Sequence, residues 1–222
     1  LTLLNTYLFL LGAFVAPKTI FGICSLVGSL VRKTIVKTRR NYGHYVGVVA
    51  AIAAFVVYVY GLTFGFSQIR VRHITLNVSN LPKNFDGYRI VQVSDMHIGT
   101  FNGWRRFILE HEMDSIKHQN ANLIVFTGDL QNMRQSEILP FTNLLKTSMK
   151  NAIAVRGNHD YTEYVKLNPK EAEQQNNDFA NIVRHKLGWN LLENNHITIK
   201  RGNDSIVIAG TENDGKPPFP QK

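Results

Sequence analysis

Residues 89–100 read RIVQVSDMHIGT, and this stretch determines how the second part of the chain is organised. Its first five residues have the largely apolar character of a short buried β-strand, and Asp95 and His97 follow almost at once. Two later stretches repeat the arrangement: residues 123–130 read LIVFTGDL, and residues 152–161 read AIAVRGNHDY. Because segments with helical spacing separate these strands, the sequence predicts an α/β layered domain.

Periodicity predicts the other elements of this part of the chain. Three helices are expected, at residues 104–118, 138–149 and 172–187. The first has apolar residues at helical spacing for an inner face, namely Phe107, Ile108, Met113 and Ile116. Further strands are expected at Ile69–Val78 and, as a ladder, at residues 191–192, 197–199 and 205–209.

Polar side chains follow three consecutive predicted strands. Read singly, an Asp-x-His is common, a Gly-Asp often marks only a turn, and Gly-Asn-His-Asp can be a turn with a helix cap. Ligands of α/β sheets gather at the carboxyl ends of the strands, however. Asp95 and His97, Asp129, and Asn158 and His159 all stand at such ends. Their joint occurrence, in this order, predicts one site.

These residue types suit divalent metal ions. Carboxylate, imidazole and amide oxygen together favour manganese, iron or zinc without requiring one of them. Asp95 and His97 can turn toward one ion, Asp129 can bridge two, and Asn158 offers a neutral oxygen. Two ions about 3.5–4 Å apart bind a phosphoryl oxygen and provide a metal-bound water for attack. His159 can then protonate the leaving oxygen as a general acid.

The three blocks resemble the calcineurin-like metallophosphoesterase superfamily, in particular its bacterial membrane-associated branch of YkuE-like and YaeI-like phosphoesterases. The resemblance covers roughly residues 67–222. It implies a four-layer α/β/β/α sandwich with a dinuclear site at one edge. It also implies that Asp95, His97 and Asp129 hold one ion, that Asp129 and Asn158 hold the other, and that His159 serves the leaving group.

Two features depart from the family pattern. The family closes with a histidine after a later strand and then a Gly-His-x-His block, and neither is found in this sequence. We therefore expect a C-terminally truncated domain with weak or no activity on its own, and we do not expect His185 or His196 to substitute. Asn132 stands where many relatives carry an aspartate that orients the catalytic histidine. An amide stabilises a charged imidazole less well, so we expect a modest effect on acid strength.

The first part of the chain has the composition of a membrane anchor. Tyr45–Phe66 has no charged residue and is long enough to cross a bilayer, which takes ~20 apolar residues. Leu3–Ala16 and Ile20–Val31 are apolar but each is short for a span, and they form either the end of a longer helix or one kinked or re-entrant element. We therefore predict a transmembrane region over residues 1–66 and a phosphoesterase domain over residues 67–222.

Charge is distributed very unevenly between these two parts. The net charge is +9, yet residues 1–73 carry eight Lys or Arg and no Asp or Glu, which leaves 17 basic and 16 acidic residues in the remainder. A nucleic-acid partner is therefore disfavoured. Five cations lie within Arg32–Arg40, and such loops stay cytoplasmic. We expect the anchor to lie in the inner membrane, with the soluble domain on its extracytoplasmic side.

The function favoured by these residues is a membrane-anchored, metal-dependent hydrolase of phosphomonoesters or phosphodiesters. The lipid bilayer is its expected partner, and the location favours a lipid- or envelope-linked phosphoester as substrate. The alternative is a binding or sensing module that keeps the fold without catalysis. An intact terminal histidine set would separate the two hypotheses.

Overall fold

A computed structural model of the protein describes residues 2–161 and 164–213. The chain divides into two compact units, Leu1–Val71 and Arg72–Lys222. We call them the helical unit and the phosphate-side unit and describe each by itself. The functional boundary predicted at residue 66 stays a prediction.

The first element of the helical unit is one long helix rather than two short segments. α1 (Thr2–Leu10) continues through a π-helical turn, Leu11–Val15, into α2 (Ala16–Val31) and a second π-helical turn, Arg32–Val36. Pro17 lies in the first turn of α2. Proline lacks an amide hydrogen and crowds the preceding turn, and the wider π-helical turn before it allows the helix to continue.

The second helix is α3 (Tyr42–Tyr60), which a π-helical turn extends over Gly61–Gly65. Asn41 caps it, since the side-chain oxygen accepts a hydrogen bond from Gly43 N. Thr6–Val36 and Tyr42–Gly65 are both long and apolar enough to cross a membrane. The sequence therefore predicted the second of these helices with nearly its bounds, but it divided the first at Pro17.

Close backbone contact holds α2 and α3 together. A Cβ atom on Gly43 would lie 2.3 Å from the carbonyl oxygen of Cys24 and 2.6 Å from Gly28 Cα. Small residues allow membrane helices to approach in this way. Ser25 Oγ and His44 Nδ1 add a hydrogen bond of 2.9 Å between the same helices.

The phosphate-side unit is built on a parallel sheet of order β1-β2-β3-β4. The strands are β1 (Ile90–Val93), β2 (Leu123–Phe126), β3 (Ile153–Ala154) and β4 (Asn190–Leu191). The helices between them are α4 (Arg106–His118), α5 (Thr142–Ser148) and α6 (Pro169–Asn181), the last extended by a π-helical turn, Ile182–Leu187. An antiparallel hairpin follows, formed by β5 (Asn195–Arg201) and β6 (Asp204–Gly210).

Alternation along the strands separates two apolar layers. Phe126 and Ala154 belong to the large core that contains the helices, whereas Leu123 and Ile153 face the opposite way. Successive strand residues point to opposite faces of a sheet. The second face packs against the hairpin through Ile197, Ile199 and Ile208. The predicted α/β layered arrangement is confirmed, and helices, parallel sheet and hairpin give three of the four predicted layers within the described residues.

Three details of the predicted elements were wrong. Residues 69–78 have no regular secondary structure and are exposed, because no strand within the described residues pairs with them. β4 pairs with β3, so the predicted ladder reduces to the hairpin of β5 and β6. On α4, Phe107 is exposed and Leu109 takes its place in the core.

Candidate metal centre

The loops after β1 and β2 are joined residue by residue beyond the sheet. Asp95 N donates to Gly128 O at 3.0 Å, and His97 N donates to Asp129 O at 3.0 Å. Asp95, His97 and Asp129 have left-handed backbones, with φ of 54°, 44° and 62°. Each such residue costs on the order of 1–3 kcal/mol and persists only where its surroundings fix it, typically at functional sites. These hydrogen bonds are part of what fixes it here.

Two glycines allow the loops after β2 and β3 to touch. A Cβ on Gly157 would lie 2.2 Å from Asp129 Oδ1 and 2.6 Å from Asp129 N. A Cβ on Gly128 would lie 2.4 Å from Gly157 N, and Gly128 also has a φ of 104°. Any side chain at either position would separate the two loops, so glycine at both positions is required by the geometry.

His97, Asp129 and His159 form one cluster, in which potential ligand atoms all lie within 4.8 Å of one another. Asp129 is buried; its Oδ1 accepts a hydrogen bond from His159 N at 2.8 Å, and its Oδ2 lies 3.9 Å from His97 Nε2. The two imidazoles meet edge to face, with ring centroids 4.6 Å apart. The sheet thus brings together three residues from three separate loops.

His159 is held on two sides. Its Nδ1 lies 2.8 Å from the carbonyl oxygen of Asn132, and its ring stacks on Tyr164 with centroids 4.0 Å apart. A carbonyl can only accept, so Nδ1 carries the hydrogen in this contact, and the exchangeable position is Nε2. The contact corrects the expected role of Asn132: its side-chain amide donates to Thr100 Oγ1 instead, and its backbone orients the imidazole.

Asp160 frames the centre although it does not belong to the cluster. The side chain is fully buried and accepts hydrogen bonds from the backbone N–H groups of Asp129, Leu130, Gln131 and Gly157, at 2.8–3.2 Å. Burial raises the pKa of the Asp160 carboxyl to about 7, against the opposing effect of these N–H groups. One side chain therefore ties the loop after β2 to the loop after β3.

Arg156 supports the same loop from the side of the core. Its guanidinium is buried, pairs with Glu193 at 2.7 Å and donates to the carbonyl oxygens of Asp160 and Asn176. Burial acts to raise the pKa of Glu193, but the charges and hydrogen bonds of Arg156 and Arg184 hold that pKa below its ordinary value. The end of β3 is thereby tied to the end of β4 and to α6.

Asp95 and Asn158 lie in the same loops but outside the three-residue cluster. The Asp95 side chain is exposed and accepts a hydrogen bond from Ser94 Oγ at 2.6 Å. Asn158 Nδ2 donates to Tyr164 Oη at 2.5 Å. Their assignment as metal ligands stays a prediction. His185 and His196, which the sequence analysis set aside as ligands, are exposed, and so are His111 and His118 of α4.

Residues 88–216 match the calcineurin-like phosphoesterase family. The chain belongs to this family. The resemblance inferred from the sequence motifs is therefore confirmed, and the three clustered residues lie within the matched range. Calcineurin-like phosphoesterases depend on metal ions, and the His97, Asp129 and His159 cluster is a set of residues that can bind one.

Two curated relatives extend this comparison. A transmembrane protein with a metallophosphoesterase domain from Danio rerio is 27% identical over 176 residues, which cover 74% of this chain and 36% of the relative. The uncharacterized metallophosphoesterase YkuE of Bacillus subtilis is 30% identical over 105 residues, which cover 44% of this chain and 35% of that protein. The chain thus spans about a third of the length of these curated relatives. No solved structure matches it.

The two relatives come from a vertebrate and a bacterium. Similarity to them therefore does not distinguish a bacterial origin, which stays a prediction from the sequence. The identity of the metal likewise stays open among manganese, iron and zinc, because the same oxygen and nitrogen donors suit all three.

Proposed function

We propose that the protein is a membrane-anchored phosphoesterase that hydrolyses phosphomonoesters or phosphodiesters with the help of two divalent metal ions. The observation that carries the proposal is the cluster of His97, Asp129 and His159, in a chain that belongs to the calcineurin-like phosphoesterase family. Left-handed backbone at His97 and Asp129 supports it, since strained residues concentrate at functional sites.

The residues fit a cation. Asp129 is buried, and its Oδ1 is satisfied by His159 N, while Oδ2 lies beside His97 Nε2 at 3.9 Å, beyond hydrogen-bond distance. Asp129, His97 and His159 each offer a potential ligand atom, and these atoms lie within 4.8 Å of one another. A divalent ion would satisfy these atoms.

The proposed ligands are Asp95, His97 and Asp129 for one ion, and Asp129 and Asn158 for the other. When bound, two such ions would neutralise charge on a phosphoryl oxygen and lower the pKa of a water molecule. Asp95 and Asn158 lie on the same loops as the clustered residues, within two residues of His97 and next to His159 respectively.

The role proposed for His159 is to protonate the leaving oxygen. Asn132 O accepts the Nδ1 hydrogen in both charge states of the imidazole, so the ring keeps its orientation as Nε2 gains and loses a proton. Tyr164 stacks on the ring and limits its rotation. Gln131 Nε2 donates to the carbonyl oxygen of His159 and fixes its backbone.

The helical unit supports placement in a membrane. Two helices have the necessary length and composition, and one relative is named as a transmembrane protein. Five cations lie in Arg32–Arg40, at the end of the first candidate span and in the connection to the second. We propose that this connection faces the cytoplasm, and that the phosphate-side unit acts at the outer face of the inner membrane on a lipid- or envelope-linked phosphoester.

The direct test is manganese-dependent cleavage of bis(4-nitrophenyl) phosphate by the full-length protein in detergent. We expect Asp129→Ala to lower turnover by about 10²–10³-fold or more, because it removes the central charge of the site. Asp114→Ala, which removes an exposed carboxylate of α4, is the matched control and should retain activity. Measurable manganese-dependent turnover that Asp129→Ala does not lower would refute a hydrolase that uses this site. Manganese binding without turnover would favour the non-catalytic module.

The acid role of His159 has its own test. A nitrophenolate is a weak base and leaves without being protonated, whereas an alkoxide is a strong base and needs a proton in order to leave. His159→Ala should therefore lower the hydrolysis of an alkyl phosphoester by a larger factor than that of a nitrophenyl ester, with general acid catalysis contributing about 10²–10⁴-fold. An equal loss with both esters would contradict the acid role and point to metal binding.

A further inference from the structure

A cavity of about 350 Å³ lies within the helical unit, close to where its two helices are connected. Its walls are mainly apolar and include Ile23, Val27, Val31, Val36 and Val46. Pockets that bind small molecules occupy roughly 300–1,000 Å³ and are lined mostly by apolar side chains. The cavity is thus large enough for a segment of an apolar ligand.

Two arginines, Arg32 and Arg40, line the same cavity. Arg32 Nη1 donates to Arg39 O at 3.2 Å, but Arg32 Nε is buried and has no hydrogen-bond partner within the described residues. A buried donor without an acceptor is unfavourable, so a ligand that supplies an acceptor oxygen would be favoured at this position. Residues 1–73 contain no Asp or Glu, so no carboxylate of the helical unit can act as the acceptor.

We propose that this cavity binds one anionic phospholipid. The phosphate would accept hydrogen bonds from Arg32 and Arg40, and a segment of one acyl chain would lie against Val27, Val31 and Val46. Arginine suits this role because its N–H groups match the oxygens of a phosphate. The inference rests on the proposed membrane placement of the helical unit but not on the phosphoesterase activity.

The observations favour a lipid over other occupants. A free anion would gain nothing from the apolar walls. A partner helix would have to bring carboxylates to the arginines at the edge of the bilayer, where buried charge is costly. An anionic lipid offers a phosphate for the arginines and an acyl chain for the apolar walls. Basic pockets between membrane helices on the cytoplasmic side bind such headgroups.

Native mass spectrometry of the full-length protein, released from detergent, tests the proposal. The probes are phosphatidylglycerol and phosphatidylcholine with identical acyl chains. We expect one phosphatidylglycerol to bind at least about tenfold more tightly than phosphatidylcholine, given roughly 1 kcal/mol for each basic residue near the lipid charge. The double variant Arg32→Gln/Arg40→Gln should lose this preference.

Lys33→Gln/Lys37→Gln is the matched control. It removes the same charge from the same connection, but neither lysine lines the cavity. It should keep most of the preference, and an equal loss in both double variants would overturn the proposal in favour of diffuse attraction. Absence of any preference in wild type would overturn it as well.

Val27→Trp tests the apolar part while it keeps every charge. Filling the cavity should weaken phosphatidylglycerol binding several-fold, and glycerol 3-phosphate should not displace the lipid. Unchanged binding in Val27→Trp, or displacement by the soluble phosphate, would contradict the proposed acyl-chain contact. Circular dichroism verifies that each variant keeps its helices. Because the readout is lipid binding, failure here leaves the proposed hydrolase intact, and loss of the hydrolase proposal leaves this one intact.

Discussion

The two units of the chain use apolar side chains in opposite ways. In the helical unit, large residues such as Val49 and Val57 are about two-thirds exposed. In the phosphate-side unit, Phe126 and Phe141 are almost wholly buried. Burial of such a side chain contributes about 1.5–3 kcal/mol in water. The phosphate-side unit therefore has its own apolar core, whereas the helical unit exposes the surface that a membrane would cover.

The same contrast extends to how close contacts are made. The helical unit brings backbones together at Gly28 and Gly43 by van der Waals packing, with flanking hydrogen bonds such as that between Ser25 and His44. The phosphate-side unit brings loops together at Gly128 and Gly157, where hydrogen bonds and a buried carboxylate are also involved. Substitutions in the second group should therefore cost more, and four predictions test this difference.

The largest effect is expected for Asp160→Ala. Four backbone N–H groups lose their acceptor at once, and the cost should be at least about 3 kcal/mol, because each buried donor left unsatisfied costs about 1–3 kcal/mol. Urea unfolding followed by tryptophan fluorescence measures it. Both tryptophans, Trp104 and Trp189, belong to the phosphate-side unit, so the signal reports that unit alone.

Asp114→Ala is the control for this substitution. Asp114 is an exposed partner of Lys117 on α4, and such pairs contribute at most about 1 kcal/mol. A cost for Asp160→Ala no greater than that of Asp114→Ala would show that the four hydrogen bonds do not hold the loops.

Gly157→Ala should follow, with a cost of about 1–3 kcal/mol from overpacking. Gly157 has an ordinary φ of −93°, so the effect is purely steric, through contact with Asp129. Manganese binding measured by calorimetry should weaken in parallel. Gly87→Ala is the control for backbone strain without a steric clash, because Gly87 has a φ of 67° and open space around it. It should lower stability but leave manganese binding unchanged.

Gly43→Ala should cause a smaller change, near the lower end of the same 1–3 kcal/mol range, because the two helices can move apart. Cys24, the single cysteine of the sequence, reports the separation. Maleimide labelling of Cys24 should become faster in Gly43→Ala. Gly22→Ala, which has nothing within 4 Å of its new methyl group, should label like wild type. Faster labelling in both variants would mean that close packing at Gly43 is not the cause.

The smallest expected effect is the contribution of Glu193 to the stability of the protein at acidic pH. The pKa of Glu193 is held below its ordinary 4.5, so its contribution to stability is complete above that pH and is lost as the pH falls further. Unfolding free energy should decrease more steeply below pH 4.5 in wild type than in Glu193→Gln, by at most about 1 kcal/mol for a partly exposed pair. Parallel pH profiles would contradict an ionic role for Glu193.

Sequence reasoning reached the elements that depend on local periodicity. β1, β2 and α4 were predicted within a few residues of their bounds, because their apolar spacing is unambiguous. The segment 69–78 shows where this reasoning fails. Its alternation is typical of a strand, but strand formation depends on a partner that periodicity cannot identify.

The sequence analysis selected the three residues that the structure clusters, His97, Asp129 and His159, but not the residues that support them. Asp95, His97, Asp129, Asn158 and His159 were selected because they follow strands. Asp160 ends the same Gly-Asn-His-Asp motif, yet its hydrogen bonds to residues 129–131 are tertiary and leave no local pattern. Likewise, the orientation of His159 by a carbonyl oxygen is invisible in the sequence, because every residue carries a carbonyl.

The strand order β1-β2-β3-β4 follows the order of the chain. The parts of the candidate metal centre therefore become available in a fixed order during synthesis. The N-terminal helices leave the ribosome first, and the loops after β1 and β2 can join next. Asp160 emerges 31 residues after Asp129, and only then are the amides that frame the centre gathered. The nascent chain therefore holds no framed site for an ion until Asp160 has emerged and three of the four strands of the sheet exist.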